Sequence, residues 1–438
     1  MSKLGAGNWG DVCKRVDTCA LTGAAAFVAG IPGTEILVNG PLWCYFYALR
    51  YLEHGANGMA QRFHGSQPDN TAVVYGSEKY ILAALKRLQK EGSKPELLFI
   101  ESSCSMSLIG DDLNGIAAKA GLKCPYVTMD CGGLLGGFVE GYTKAALCVL
   151  DKCLDLHAQP QERVINILGQ TDFYLHGRDD TEEMVRLLCK AGYLLQAVPG
   201  SGSSLEQLRH LGNAQLNIVT NEELGLPLAE YLQKRCGTPY ILAGLPYGIA
   251  GTQRWLEGIA KAMPAPKLAD VYAEAESVEE YVTSLLNDAR CQWGDLWADR
   301  IIISGPPTQA LCLGETVRGE WVDTSELWVC CQRQLPHTAP KAYCQAADVI
   351  YVSGERELPW GDMAQFKGSL LLLGSSSESS LLYRQGRTDF INCNIAFPAN
   401  EEIFLTNQPL VGLEGSKQLV QKLWNAYIRL CIQKQGEV

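Results

Sequence analysis

Short apolar runs alternate with longer amphipathic stretches along almost the whole chain. That alternation restricts the fold to parallel α/β sheets with helical crossovers. In the first third the strand candidates are Glu35–Asn39, Thr71–Tyr75, Leu97–Glu101 and Tyr126–Asp130. Between the second and third of these, Tyr80, Leu82, Leu85 and Leu88 stand at helical spacing. The middle third repeats the scheme with Arg163–Leu168, Tyr193–Val198, Gln215–Thr220 and Tyr240–Ala243. The last offers Arg300–Ser304, Glu326–Val329, Asp348–Val352, Leu370–Gly374 and Asp389–Phe397. The stretches Leu156–Arg163 and Asp288–Asp299 read as linkers. The expected architecture is three doubly wound, Rossmann-like parallel-sheet domains (1–158, 159–295 and 296–438) around a central cleft. Ligands of such folds bind outside the carboxyl ends of strands and where domains meet.

Composition narrows the function. A chain of 438 residues, 47% hydrophobic and 19% charged, can build two or three cores and has no disordered character. Its net charge of -11 argues against a nucleic-acid partner. No apolar run approaches the ~20 residues of a membrane span. The first residues, Met1 to Trp9, lack the apolar core of a signal peptide. A cytoplasmic protein is therefore expected. The 17 cysteines are too many for chance and in the wrong setting for a disulfide framework. No Cys-x-x-Cys occurs, which argues against a zinc ribbon or a thioredoxin-type pair.

Three of those cysteines sit in segments rich in small or turn-forming residues: Asp17-Thr-Cys19-Ala-Leu-Thr-Gly23, Asn39-Gly-Pro-Leu-Trp-Cys44 and Glu101-Ser-Ser-Cys104-Ser-Met-Ser-Leu-Ile-Gly-Asp-Asp112. Thiolates on loops, flanked by residues that let backbone approach closely, suit an iron–sulfur cluster. Taken singly, each also reads as a buried free thiol. Position favours the first reading over the second. Cys104 lies just past a strand's carboxyl end, Cys44 follows another strand across a Gly-Pro turn, and Cys19 precedes the first strand.

With these motifs placed, the chain resembles nitrogenase component 1 and its relatives. That family includes the catalytic α and β subunits, the cofactor-scaffold pair, the light-independent protochlorophyllide and chlorophyllide reductases and other nitrogenase-like reductases. The resemblance runs through the whole chain. It rests on Cys19-Ala-Leu-Thr-Gly-Ala-Ala, the turn at Cys44, Val74-Tyr-Gly-Ser-Glu-Lys79, the Cys104 segment through Asn114 and Met129-Asp-Cys-Gly-Gly133. Asn394-Ile-Ala-Phe-Pro398 and Val411-Gly-Leu-Glu-Gly415 resemble the family's C-terminal segment. The resemblance implies that Cys19, Cys44 and Cys104 ligate an iron–sulfur cluster, 4Fe–4S or a larger P-cluster-like form, at the interface with a homologous subunit. It implies a homo- or heterodimer that can pair again into a tetramer. It also implies electron delivery by a separate ATP-dependent iron–sulfur reductase; this chain has no Gly-x-x-x-x-Gly-Lys-Ser/Thr motif of its own.

The chain departs from the dinitrogen-reducing α subunit, which holds its cofactor by a middle-domain cysteine and a late histidine. Here Asn221 stands in the cysteine's place, and the last histidine is His337. The expected function is a nitrogenase-like reductase subunit; the alternative is a scaffold for assembling a nitrogenase-type metallocluster. Other residues carry open readings. Cys131 is an extra ligand or a small residue in a strand–helix turn. His64 is a proton donor or cluster-tuning partner, or a solvated loop histidine. Glu222, Glu223, Arg356 and Glu357 bind a polar substrate or relay protons, or are solvated loop charges. Gly374-Ser-Ser-Ser-Glu-Ser-Ser380 is an anion-binding loop or a flexible one. Cys124, Cys148, Cys153, Cys189, Cys236, Cys312 and Cys393 read as core thiols.

Overall fold

A computed structural model describes residues 18–55, 58–132, 135–353 and 360–436. Three sheets follow one another along the chain, and every strand pair in them is parallel. The first has the order β2-β1-β3-β4, from β1 (Thr34–Asn39), β2 (Phe63–Gly65), β3 (Leu97–Ser102) and β4 (Tyr126–Asp130). The middle sheet, β6-β5-β7-β8, comprises β5 (Val164–Leu168), β6 (Leu194–Ala197), β7 (Leu216–Val219) and β8 (Tyr240–Leu242). The last, β11-β10-β9-β12-β13, comprises β9 (Trp297–Gly305), β10 (Asp323–Cys331), β11 (Val349–Val352), β12 (Leu370–Gly374) and β13 (Phe390–Asn394). Each sheet starts at a central strand, steps outward, then reverses to the other side, so each has a topological switch point.

Seven helices matter below: α1 (Ala20–Ala29), α2 (Leu42–Leu52), α3 (Cys104–Ile109), α4 (Phe138–Cys153), α5 (Gly177–Lys190), α6 (Glu222–Cys236) and α7 (Gly412–Gly436). Helices α1 and α4 lie unusually close together. A methyl group at Gly23 would fall inside the van der Waals shell of the Phe138 carbonyl, and one at Gly141 inside that of Ala20. Glycine at these two positions is a packing requirement, and α1 is buried along its whole length.

Two expected elements change. The run 71–75 is a short helix, Ala72–Tyr75, and the outer strand is Phe63–Gly65 instead. The Asp69 carboxylate accepts from the backbone N–H and hydroxyl of Thr71 at 2.8 and 2.6 Å, which turns the chain before the apolar run begins. Val73, Val74 and Tyr75 are then 66%, 74% and 83% exposed, so no neighbouring strand covers them. The stretch 288–299, read as a linker, holds the end of the helix Leu268–Trp293 and the start of β9.

The sheets share cores. Ile165 and Ile218 of the middle sheet belong to one apolar cluster with Ile303 and Val329 of the last, and with Leu419, Leu423 and Trp424 of α7. Phe138 and Tyr142 of α4 join the first sheet to Leu168, Leu224 and Leu228. Carboxylates on α5 hold the segment that leads into α7. Asp180 accepts from Leu410 and Val411 N–H at 2.5 and 3.2 Å, and Glu183 from Leu413 and Glu414 N–H at 3.1 and 3.2 Å.

Burial pushes the Asp180 carboxyl up from 3.8 to about 8, with Asp179 and Glu183 adding repulsion. The folded state therefore keeps this proton more tightly than the unfolded chain does. Its contribution to stability is whole below the unfolded value and is lost as pH rises through about 8. Asp180→Asn is expected to flatten the fall in urea midpoint between pH 5 and 8.5, a slope of up to ~1.4 kcal/mol per pH unit. Identical pH profiles in variant and parent would count against this account.

Candidate functional site

Cys44 and Cys104 stand in the first turns of the helices that follow β1 and β3, adjacent strands at the first sheet's switch point, and not on loops as expected. Cys44 is the third residue of α2, reached from Asn39 across Gly40-Pro41. Cys104 begins α3 directly after the Ser102-Ser103 end of β3. Cys19 precedes α1 and bridges backbone to Gly137, the residue before α4. The tight α1–α4 contact therefore places the third thiol. Burial, then the nearby Cys19 and Cys104, then Glu101, raise the Cys44 thiol above its usual range. Cys44 therefore lies near enough to Cys19 and Cys104 to feel their charge. Cys19 and Cys104 are exposed and Cys44 is half-buried.

A hydrogen-bond network fixes this end of the sheet. Asn39 donates to the Ser77 hydroxyl at 2.8 Å and accepts from Ser66 at 2.8 Å. Asp111 accepts from the Ser77 backbone and hydroxyl at 2.7 and 2.5 Å. The motifs around Gly76-Ser77 and Gly110-Asp111 thus meet in space and tie the Cys104 segment to the end of β1. Below the thiols, Glu101 is wholly buried, with one carboxylate oxygen lacking a partner and the other accepting from Cys131 at 3.6 Å. Burial drives its pKa well above the carboxylate range, and the bond from Cys131 opposes that only in part.

The donor set fits an iron–sulfur cluster. It is all sulfur, two of its thiols are exposed, and three thiolates leave such a cluster short of a ligand. Among the described residues no three His, Cys, Asp or Glu converge closely enough to hold a single ion. A polynuclear cluster does not need that convergence, because separate thiolates reach separate iron atoms. Around the thiols the surface is apolar: Leu42, Trp43, Phe46 and Tyr47 of α2 and Leu108 of α3 are 52%, 63%, 43%, 66% and 78% exposed.

The remaining candidates disperse. Cys131 points into the core and burial pushes its thiol well up, so it is a core residue and not a ligand. His64 is on β2, not on a loop; its ring bonds Glu35 at 3.0 Å, near the start of β1 and away from the cysteines. Glu222 and Glu223 are buried at 0% and 1% exposure, not solvated. Glu222 accepts from His337 and Thr338 N–H and from Tyr343, and Glu223 from Thr308 at 2.6 Å; both tie the middle sheet to the last. Asn221 donates to Gly169 O at 2.8 Å beside them. The run 374–380 is neither anion loop nor flexible loop. Ser375 caps the helix Ser376–Arg384 in a capping box with Glu378, as Ser-x-x-Glu spacing dictates. Cys189 is exposed and not a core thiol. Arg356 and Glu357 lie outside the described residues. Glu101 escapes a reading of single residues, because its only sequence signal is an acid closing an apolar strand.

The family model for nitrogenase component 1 type oxidoreductases matches residues 19–428. A subunit of the light-independent protochlorophyllide reductase of Zygnema circumcarinatum is 25% identical over 386 residues, covering 82% of this chain and 72% of that protein. Its counterpart from Chloroflexus aggregans is 31% identical over 183 residues, 41% of this chain and 32% of that protein. Among solved structures, nitrogenase Cp1 at pH 6.5 superposes with a TM-score of 0.74 at 17% identity, covering 94% of this chain and 93% of that one. The shared architecture is three parallel-sheet units in one fold.

Proposed function

The chain belongs to the nitrogenase component 1 type oxidoreductases, and from that premise we propose that it is the electron-accepting subunit of a nitrogenase-like reductase. Cys19, Cys44 and Cys104 hold an iron–sulfur cluster, 4Fe–4S or P-cluster-like, that a homologous component 1 subunit completes. When bound, such a cluster stores and passes single electrons at low potential. The chain's own residues shape its setting. The α1–α4 contact places Cys19, and the Asn39–Ser77–Asp111 network steadies the Cys104 segment. The substrate belongs in the cleft between the three sheets. A protochlorophyllide-like unsaturated ring is the class suggested by the relatives. Asn221 offers no thiol to a nitrogenase-type cofactor, which argues against dinitrogen reduction. Among the described residues no helix is long and apolar enough to cross a membrane, in keeping with a cytoplasmic site of action.

The observation that carries this reading is Cys44, near enough to Cys19 and Cys104 to feel their charge, on a helix that exposes Trp43, Phe46 and Tyr47. Exposed apolar area of this kind beside unfilled ligand positions is what a partner subunit buries. Trp43→Glu with Tyr47→Glu is expected to shift the assembly to monomer in light scattering while leaving the circular dichroism unchanged. In an anaerobic mixture with an ATP-dependent iron–sulfur reductase, the cluster's EPR signal is expected to change on reduction only when ATP is present. An assembly indifferent to the double substitution, or cargo transfer to another protein without ATP-linked reduction, would refute the reading; the second outcome would indicate a scaffold.

A further inference from the structure

Arg333 stands two residues beyond the carboxyl end of β10, in the last sheet unit. The segment that carries it is fastened at both ends. Gln332 N–H donates to Gly305 O at 3.1 Å. The His337 and Thr338 N–H groups both donate to Glu222, at the start of α6 in the middle unit, at 2.8 Å. From this platform the Arg333 guanidinium crosses to the first unit. It donates to Glu140 Oε1 at 2.7 Å, joining residues 193 positions apart.

Glu140 lies in the first turn of α4. Its other oxygen accepts from Gly137 N–H at 2.8 Å. The side chain folds back over Gly136, where an added Cβ would stand 2.7 Å from the Glu140 Cγ. Gly137 is the residue whose backbone bridges to Cys19. Contacts therefore run unbroken from the last unit to a thiol of the first, through Arg333, Glu140, Gly137 and Cys19.

The charges agree with this arrangement. Burial works to raise the Glu140 carboxyl, but Arg333 and the N–H groups of Glu140 and Gly137 outweigh it and hold the carboxyl below its usual range. The same guanidinium answers a second acid. Burial raises the Glu223 carboxyl of α6, and the Thr308 hydroxyl and the Arg333 charge oppose it. A partly exposed ion pair adds little to stability once the ordering of a long side chain is counted. Its distinct consequence is register between segments. Cys44 and Cys104 follow the ends of two paired strands, whereas Cys19 precedes the first strand and depends on α1, α4 and the Gly137 bridge for its place.

We propose that Arg333 is a positioning residue for Cys19: acting through Glu140 and Gly137, it lets the last sheet unit set where the first unit holds that thiol. The inference rests on the cluster reading only in taking Cys19 for a ligand.

The test follows backbone amide exchange in the full-length, iron-free protein by mass spectrometry, over residues 136–141 and 104–109. Arg333→Met is expected to speed exchange at 136–141 by about fivefold, and Arg333→Lys, which keeps the charge, to restore most of the protection. Exchange at 104–109 is expected to stay unchanged, because the Asn39–Ser77–Asp111 network holds that segment without Arg333. Should Arg333→Met fail to fold, Glu140→Gln, which keeps an acceptor for Gly137 but removes the charge, is expected to speed exchange at 136–141 in the same selective way. In the cluster-bearing assembly Arg333→Met is expected to retain iron with shifted EPR g-values, and Arg333→Lys to return them. Unchanged exchange at 136–141 in the folded variants, equal acceleration of both segments, or an unshifted EPR spectrum would overturn the proposal. Unchanged exchange leaves the cluster reading standing, and a protein that binds no iron removes that reading without altering the exchange result.

Discussion

Cys104→Ala, prepared anaerobically with its partner subunit, is expected to lose its iron and its low-temperature EPR signal, and Cys44→Ala to do the same. Both residues follow the strands that flank the first sheet's switch point, so no neighbouring thiol can take their place. Cys131, which follows the neighbouring strand β4, is buried at 1% exposure and faces Glu101. The loss in metal affinity should exceed the ~10–100-fold that removing an outer-shell partner costs. Cys189→Ala, an exposed thiol on another helix, serves as the control and should retain iron. Iron and EPR unchanged in both Cys104→Ala and Cys44→Ala would remove the basis for a cluster.

The second large effect is steric. Gly141→Ala pushes a methyl group into the backbone carbonyl of Ala20, and Gly23→Ala does the same against Phe138. Neither obstacle is a side chain that can rotate away; one helix must move. Overpacking costs ~1–3 kcal/mol and occasionally more, and a backbone obstacle places these two at the upper end. The denaturant midpoint should fall accordingly. Since Cys19 immediately precedes α1 and bridges to Gly137 immediately before α4, the same movement displaces a thiol. Iron occupancy should therefore drop in protein that is still folded. A surface substitution of equal destabilisation, retaining full iron, separates the two effects. Gly23→Ala and Gly141→Ala variants as stable as the parent would contradict the close contact.

Much of this is legible in the chain itself. Continuous apolar strands bounded by Gly, Ser, Asn or Asp are what buried parallel sheets require, and most of the strand candidates lie where strands form. The failure at 71–75 is instructive. Val-Val-Tyr has strand propensity, but Asp69 sets a turn before it, and exposure of all three side chains shows that no sheet edge was there to receive them. The strand used instead, Phe63-His-Gly65, is too short for a periodicity argument. Ser375 and Glu378 mislead for a different reason: a polar run looks like a loop unless the capping spacing is weighed first.

Sequence alone determined the class of fold and singled out the three thiols as candidates, because alternation and small-residue flanks are local properties. It did not decide which acids are charged. Glu222 and Glu223 read as surface carboxylates, yet both are buried and sew two sheets together. Glu101 and Asp180 acquire their character from burial by packing across the chain, with Cys131 bonded to Glu101 and the Leu410 and Val411 N–H groups bonded to Asp180. Burial and hydrogen-bond partners are set by long-range packing, so only the tertiary structure could assign them.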